Sequence, residues 1–293
     1  MIIGDKREQV IENIRQAAEN GTFHAKVEVD DPVLTAEQKK LLLERYLEKR
    51  PTLRFRINNL VARQIANGAT RKLNQATEIV GLENVGGITG GAILTSNHFS
   101  PVDNTVVRTF AGKMGKKKLC IASQETNLAM PGWIGFLMNY ADIIPIGTGF
   151  GYMSNRFEPM LKELLAQNNY VLIYPEQEMW FNYRKPRPPR RGAYYYAAKF
   201  GVPVLSCFVE IRTLRELDTP EFYKVRYVLH VLPPIFPDPA KTVRENSIAM
   251  CSKDYRQKKT AYEAAYGKPL DYRFEPEDIA GWIPPDTADP RNL

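Results

Sequence analysis

From Gly81 onward the chain alternates short apolar runs with amphipathic helical stretches, and this alternation restricts the fold more than any other feature. The apolar runs fall near 92–96, 118–122, 143–146, 170–174, 203–211 and 224–232. Between them, stretches near 101–112, 131–139, 151–167 and 192–200 repeat apolar residues at helical spacing. Met153, Phe157, Met160, Leu161, Leu164 and Leu165, for example, fall on one helical face. Runs too short for helices, each followed by a helix that carries the chain back, predict an α/β fold. Its sheet is mixed or mostly parallel and flanked by helices. The spacing assigns this α/β domain to 81–240, with an N-terminal helical extension over 1–80 and a C-terminal helix and tail over 241–293.

The N-terminal region differs in character. One helix is expected over 6–19, ending at Asn20-Gly21. Thr35 with Gln38 then signals a capped helix carrying Leu41, Leu42, Tyr46 and Leu47. After Pro51, a second pattern carries Phe55, Ile57, Leu60, Val61, Ile65 and Ala69. From Ala36 to Lys72, ten Lys or Arg stand against three Glu. Two basic amphipathic helices suit docking on an anionic membrane surface. A helical pair packed on the domain, with its charges in water, satisfies the same pattern. The net charge of +7 favours anionic partners. Nucleic acid rests on charge alone and is not an expected partner.

No run of about 18 apolar residues suggests a membrane span, and the first residues, Met1 to Arg7, hold no secretory apolar region. Three cysteines without a Cys-x-x-Cys spacing give no metal or disulfide framework; Cys120 and Cys207 read as buried thiols in a reducing compartment. The expectation is a cytoplasmic protein, peripheral on the inner face of the membrane, with no metal and no resident cofactor. A last helix should start near Thr242, capped by Glu245, with Ile248, Cys251, Tyr255, Tyr262 and Tyr266 as its stripe. Beyond Gly267 the tail should wrap the surface.

The chemistry concentrates at two strand ends. Ser96-Asn97-His98 follows the run that ends near Thr95, and Ser100-Pro101-Val102-Asp103 has the form of a capped helix start. A carboxylate on that first turn can hold one imidazole nitrogen and leave the other free as a general base. The same Ser and Asp also make an ordinary cap. At the end of 170–174, Pro175-Glu176 would face the same crevice, because ligands of open α/β sheets bind at such strand ends. A basic loop follows, with Arg184, Lys185, Arg187, Arg190 and Arg191 held out of helix by Pro186, Pro188 and Pro189. Trp180, Phe181 and Tyr183 precede it. The interleaving suits a phosphate-bearing ligand or lipid headgroup, and in principle single-stranded nucleic acid; a plain solvated loop has the same composition. Arg156 follows the Gly-rich segment 147–151, where backbone amides could approach an anion.

In order, Asn97-His98-x-x-x-x-Asp103, Arg156, Tyr174-Pro175-Glu176 and Val202-Pro203-Val204 resemble the four sequence blocks of the glycerolipid (lysophosphatidic acid) acyltransferase family. The resemblance spans about residues 85–235. It implies transfer of a fatty acyl group from acyl-CoA or acyl carrier protein, as co-substrate, to a hydroxyl of a lysophospholipid. His98 would take the hydroxyl proton and Asp103 would orient the imidazole; Arg156 and Glu176, with Asn97 nearby, would help to hold the acceptor. The third block departs from the usual Phe-Pro-Glu-Gly-Thr-Arg, reading Tyr174-Pro175-Glu176-Gln177-Glu178-Met179. Either Arg184, Arg187, Arg190 or Arg191 replaces the missing arginine, or the acceptor is not a simple glycerol phosphate. A lipid-surface binding protein that has kept the fold and lost the chemistry is the competing reading.

Overall fold

The computed structural model describes residues 6–29, 32–116, 118–149 and 151–285. Of the sequence reading, Met1 to Asp5, Phe150 of the Gly-rich segment and the tail beyond 285 lie outside them. Three helices precede the sheet: α1 (Arg7–Glu19), α2 (Ala36–Lys49) and α3 (Leu53–Leu73). The sheet region then runs β1 (Glu78–Val80), β2 (Ala92–Thr95), α4 (Asn104–Lys113), β3 (Leu119–Gln124), α5 (Gly132–Tyr140) and β4 (Ile143–Ile146). It continues with α6 (Glu158–Ala166), β5 (Tyr170–Leu172), α7 (Gly192–Phe200), β6 (Val204–Thr219) and β7 (Phe222–Val231), and α8 (Val243–Tyr266) closes the order.

The seven strands form one sheet in the order β1-β7-β6-β2-β5-β3-β4, parallel except for the β6–β7 hairpin. The fold is thus the mixed, mostly parallel α/β sheet that the alternation predicts, with helices before it. Successive residues of a strand face opposite sides. Ile93, Cys120 and Val171 therefore pack with α2, α6, α7 and α8, while Leu94, Ile121 and Leu172 pack with α4 on the other side. Covered on both faces, β2 and β5 are buried at every position, as interior parallel strands must be.

Several details differ from the sequence expectation. β1 has no counterpart among the apolar runs, because its three residues, two of them exposed, carry no periodicity. β6 runs eight residues beyond 211, its outer half exposed and paired with β7. The helix expected from 101 begins at Asn104, because residues 100–106 first make i→i+3 bonds, Asp103 N–H to Ser100 and Thr105 N–H to Val102. The expected helix over 151–167 opens with a π-turn at Met153–Phe157 before α6.

Helix α8 starts as expected, on a Thr242/Glu245 capping box, and Tyr262 of the expected stripe is buried with Cys251, Tyr255 and Tyr266 half-buried, but the buried face is rotated toward Met250, Asp254 and Lys258. Ile248 is exposed, whereas Asp254 and Lys258 are buried beside Tyr262. The reason is a buried polar network: Lys258 Nζ donates to Asp254 at 2.7 Å, Thr95 Oγ1 donates to the other Asp254 oxygen at 3.0 Å, and the Tyr194 hydroxyl also binds that carboxylate. A paired charge can be buried where an isolated one cannot. Cys120 and Cys207 are buried, and burial pushes both thiols up to about 12.

Candidate active site

β2 ends at Thr95 in the middle of the sheet, and the chain turns away through Ser96-Asn97-His98. Asn97 is buried, and its side-chain amide bonds Val209 both ways: Nδ2 donates to the carbonyl at 3.0 Å and Oδ1 accepts from the N–H at 2.8 Å. It is spent on β6 and faces no open space. His98 comes next, with its side chain 21% exposed. Two further bonds pin the turn, from Trp180 N–H to the His98 carbonyl at 3.1 Å and from Asn182 N–H to the Phe99 carbonyl at 2.8 Å.

His98 Nδ1 lies 2.8 Å from Asp103 Oδ2. The same oxygen accepts from the backbone N–H groups of Phe99 at 2.9 Å and Ser100 at 3.2 Å. Asp103 Oδ1 accepts from the Tyr174 hydroxyl at 2.5 Å. The carboxylate is buried, so each of these charge-assisted bonds offsets lost hydration. Asp103 therefore ties together backbone, phenol and imidazole, a tighter role than a simple helix cap. A carboxylate only accepts, so Nδ1 carries the hydrogen and Nε2 of the neutral ring keeps its lone pair. Among the described residues nothing bonds Nε2.

Tyr174 was not assigned a role from the sequence, where it reads as the last residue of a buried run. Its ring stacks on His98 with centroids 3.9 Å apart and planes 14° from parallel. Burial, and then the adjacent Asp103 charge, hold its phenol well above the usual value, so it remains a donor.

Glu176 arrives from β5, the neighbour of β2, and is buried beneath His98. Its Oε2 accepts from His98 N–H at 3.2 Å and meets Arg187 Nη2 at 2.9 Å; its Oε1 accepts from Arg187 N–H at 2.9 Å. Arg187 is buried as well. It donates to the Phe23 and Glu178 carbonyls and lies over Trp180 at 4.4 Å. Gln177 follows Glu176 in the left-handed region at φ 69°. That is the position of glycine in the pattern Phe-Pro-Glu-Gly-Thr-Arg, and glycine adopts this conformation without strain.

The basic loop is not the open cationic arm that its composition suggests. Trp180, Phe181 and Tyr183 are buried with Val10, Ile11 and Ile14 of α1 and with Ile279 of the tail, so they form core. Arg184 is tied to the Glu277 carbonyl at 2.8 Å and Thr213 at 2.7 Å. Lys185 is buried on Asp278 at 2.7 Å. The prolines do exclude helix over 176–191, but the tail folds over the segment and takes up its charges. Arg190 and Arg191 remain exposed. Arg156 is exposed on the π-turn after β4, at the same edge of the sheet. Three interstrand spacings separate β4 from β2, roughly 14 Å, and Arg156 makes no contact with His98.

The other histidines lie apart from this pair. His24 Nδ1 meets the Glu176 carbonyl at 3.2 Å, and burial above all lowers its pKa. His230 Nε2 meets Glu210 at 2.9 Å on the β6–β7 hairpin. No group of His, Cys, Asp and Glu among the described residues is arranged to hold a metal.

Comparison with known proteins gives a match to a family model and to solved structures. A family model described as "Acyltransferase" matches residues 76–210. No curated protein sequence matches the chain. Among solved structures, the chain is similar to the 1-acyl-sn-glycerophosphate (LPA) acyltransferase PlsC from Thermotoga maritima. They share 15% identity over 91% of this chain and 99% of that one, with a TM-score of 0.49.

Proposed function

We propose, from the match of the acyltransferase family model to residues 76–210, that the chain moves a fatty acyl group from a thioester, acyl-CoA or acyl carrier protein, to a hydroxyl of a lysophospholipid. His98 Nε2 takes the proton as the hydroxyl oxygen attacks the thioester carbonyl. The tetrahedral intermediate collapses, the carbon–sulfur bond breaks, and the imidazolium returns the proton to the leaving thiolate. Asp103 keeps Nδ1 protonated and stabilises the transient positive ring. No serine or cysteine nucleophile is required, which agrees with the burial of Ser96 and Ser100. The observation that carries this reading is the 2.8 Å His98–Asp103 bond with the opposite ring nitrogen unengaged.

In this reading Glu176 and Arg187 position the histidine, holding its backbone from below, and Asn97 fixes the turn to the sheet. The acceptor's phosphate is left to the exposed cations Arg156, Arg190 and Arg191; Arg184 contributes field but has both Nη groups committed to Glu277 and Thr213. The protein works at an anionic membrane surface, with α3 presenting Leu53, Ile57, Leu60, Val61 and Ile65 and α5 presenting Trp133, all exposed. No described helix is long and apolar enough to cross a membrane.

The deciding experiment follows thiol release from acyl-CoA and acyl carrier protein with a panel of lyso-lipids, and vesicle binding in parallel. Loss of turnover in His98→Ala with vesicle binding retained supports the enzyme. A wild-type protein that binds vesicles and releases no thiol with any donor or acceptor is the lapsed lipid binder instead.

A further inference from the structure

A cavity of about 510 Å³ lies between helices α3 and α4, toward the opposite end of the strands from His98. Its lining includes Leu119, which sits level with Ala92 through their shared partner Tyr170, so the cavity opens at the start of the strands. His98 follows their ends, the length of β2 away, roughly 13 Å. We propose that this cavity is a binding site for a phosphate group, with Arg108 as its floor.

The lining carries Arg71, Arg108, Lys113, Lys116 and Lys118 and no carboxylate. Arg108 is 6% exposed. Its Nη2 makes one long bond, 3.5 Å to the Leu119 carbonyl, while Nε and Nη1 are buried without a partner. Thr70 Oγ1, from the facing helix, is likewise buried and unpartnered. Buried polar groups, guanidinium above all, are ordinarily paired, and an unpaired one carries its full desolvation cost.

The protein offers Arg108 no anion of its own. Asp142, the carboxylate whose charge acts on it most, is already gripped by Arg63 at 2.7 Å on both oxygens and by Asn59 at 3.1 Å. Lys116 is committed to the carbonyls of Thr89, Gly90 and Asn168. Arg71, Lys113 and Lys118 form no ion pair among the described residues. A phosphate oxygen on the Arg108 fork, a second on Thr70 Oγ1, and the three cations at the rim would satisfy every orphaned donor at once. Arginine's planar fork suits phosphate oxygens geometrically. The volume falls within the range of about 300–1,000 Å³ usual for small-molecule sites.

The phosphate can belong to a soluble phosphate compound or to the headgroup of an anionic phospholipid, since Arg71 shares α3 with the exposed apolar residues. Isothermal titration of the full chain with millimolar inorganic phosphate, without acyl donor, tests the first source. Vesicles of phosphatidylcholine with and without phosphatidylglycerol test the second. Arg108→Met removes the fork at similar length, and Lys113→Gln/Lys118→Gln changes only the rim, so folding of the first variant does not decide the matter. Binding of phosphate that weakens about tenfold or more in either variant, and not in His98→Ala, supports the site with a soluble ligand. A phosphate titration without heat, together with a similar loss of anionic-vesicle binding in the variants, supports the headgroup. Equal binding of both probes by wild type and variants, or no binding of either, overturns the proposal. None of these readouts depends on acyl transfer, so the site stands or falls apart from the catalytic reading.

Discussion

His98 and His230 each meet a carboxylate, at 2.8 and 2.9 Å. The two pairs differ in everything around that bond. His98 uses Nδ1 and turns Nε2 outward from a strand end; His230 uses Nε2 from within the β6–β7 ladder, where it faces Phe208 across the strands. Asp103 takes its other bonds from two backbone N–H groups and a phenol, all neutral. Glu210 is shared with Arg212 at 2.6 Å, so a permanent cation already answers its charge. A carboxylate balanced only by neutral donors keeps its full field for an imidazolium that forms during turnover. One already paired has less to give. Proximity of histidine to acid is thus a poor guide to chemistry; what else holds the acid is the better one.

The comparison is most directly broken by removing each ring. His98→Ala should cut acyl transfer by about 10²–10⁴, and His230→Ala should leave it essentially unchanged, both followed by thiol release. Comparable losses would erase the distinction. Asp103→Asn should keep the shape and lower turnover by about 10² or more. If it costs only about 1 kcal/mol of stability in urea and turnover holds, the residue serves as a cap.

Acid denaturation sharpens the other pair. Burial alone would raise the Glu210 pKa, but the bonds from Arg212 and His230 outweigh it, and the net direction is down. A carboxyl lowered in the folded state contributes stability above its ordinary value near 4.5 and loses it as pH falls below that, through the folded value. Urea midpoints of Glu210→Gln should therefore be less sensitive to pH than wild type below 4.5 and offset downward above it. Parallel curves would show the pair to be inert. The smallest effect concerns the shelf under His98. Gln177 holds a left-handed backbone, so Gln177→Gly should raise stability by about 1 kcal/mol, read as a higher urea midpoint. A lower midpoint would mean that the Gln177 side chain supports the bend itself.

How much of this was readable in advance follows from the range of each interaction. The order of strands and helices is written in local periodicity, and α1 and α7 fall where the spacing puts them. His98 and Asp103 are five residues apart, so one turn of chain is enough to suggest their meeting. Glu176 could be placed near them because parallel strands deliver their ends to one edge. Arg187 could not be foreseen as its buried partner, since the loop that folds it back has no period and depends on Phe23 and the tail. For the same reason Trp180, Phe181 and Tyr183 read as ligand contacts when they are the floor on which α1 rests. On α8 the stripe was legible except at Ile248, but not its buried polar edge, because Asp254 and Lys258 look like solvent residues until Thr95 and Tyr194 are seen across from them.

The paired bonds between Asn97 and Val209 bear on the aim of the neighbouring ring. A primary amide offers one donor and one acceptor, as a peptide group does, so this side chain acts as a surrogate rung that prolongs the β2–β6 ladder after the main chain has left it. The histidine consequently inherits the stiffness of the sheet instead of the looseness of a connecting segment. A reactive nitrogen placed on a bend is thereby given the positional steadiness of a residue inside a strand.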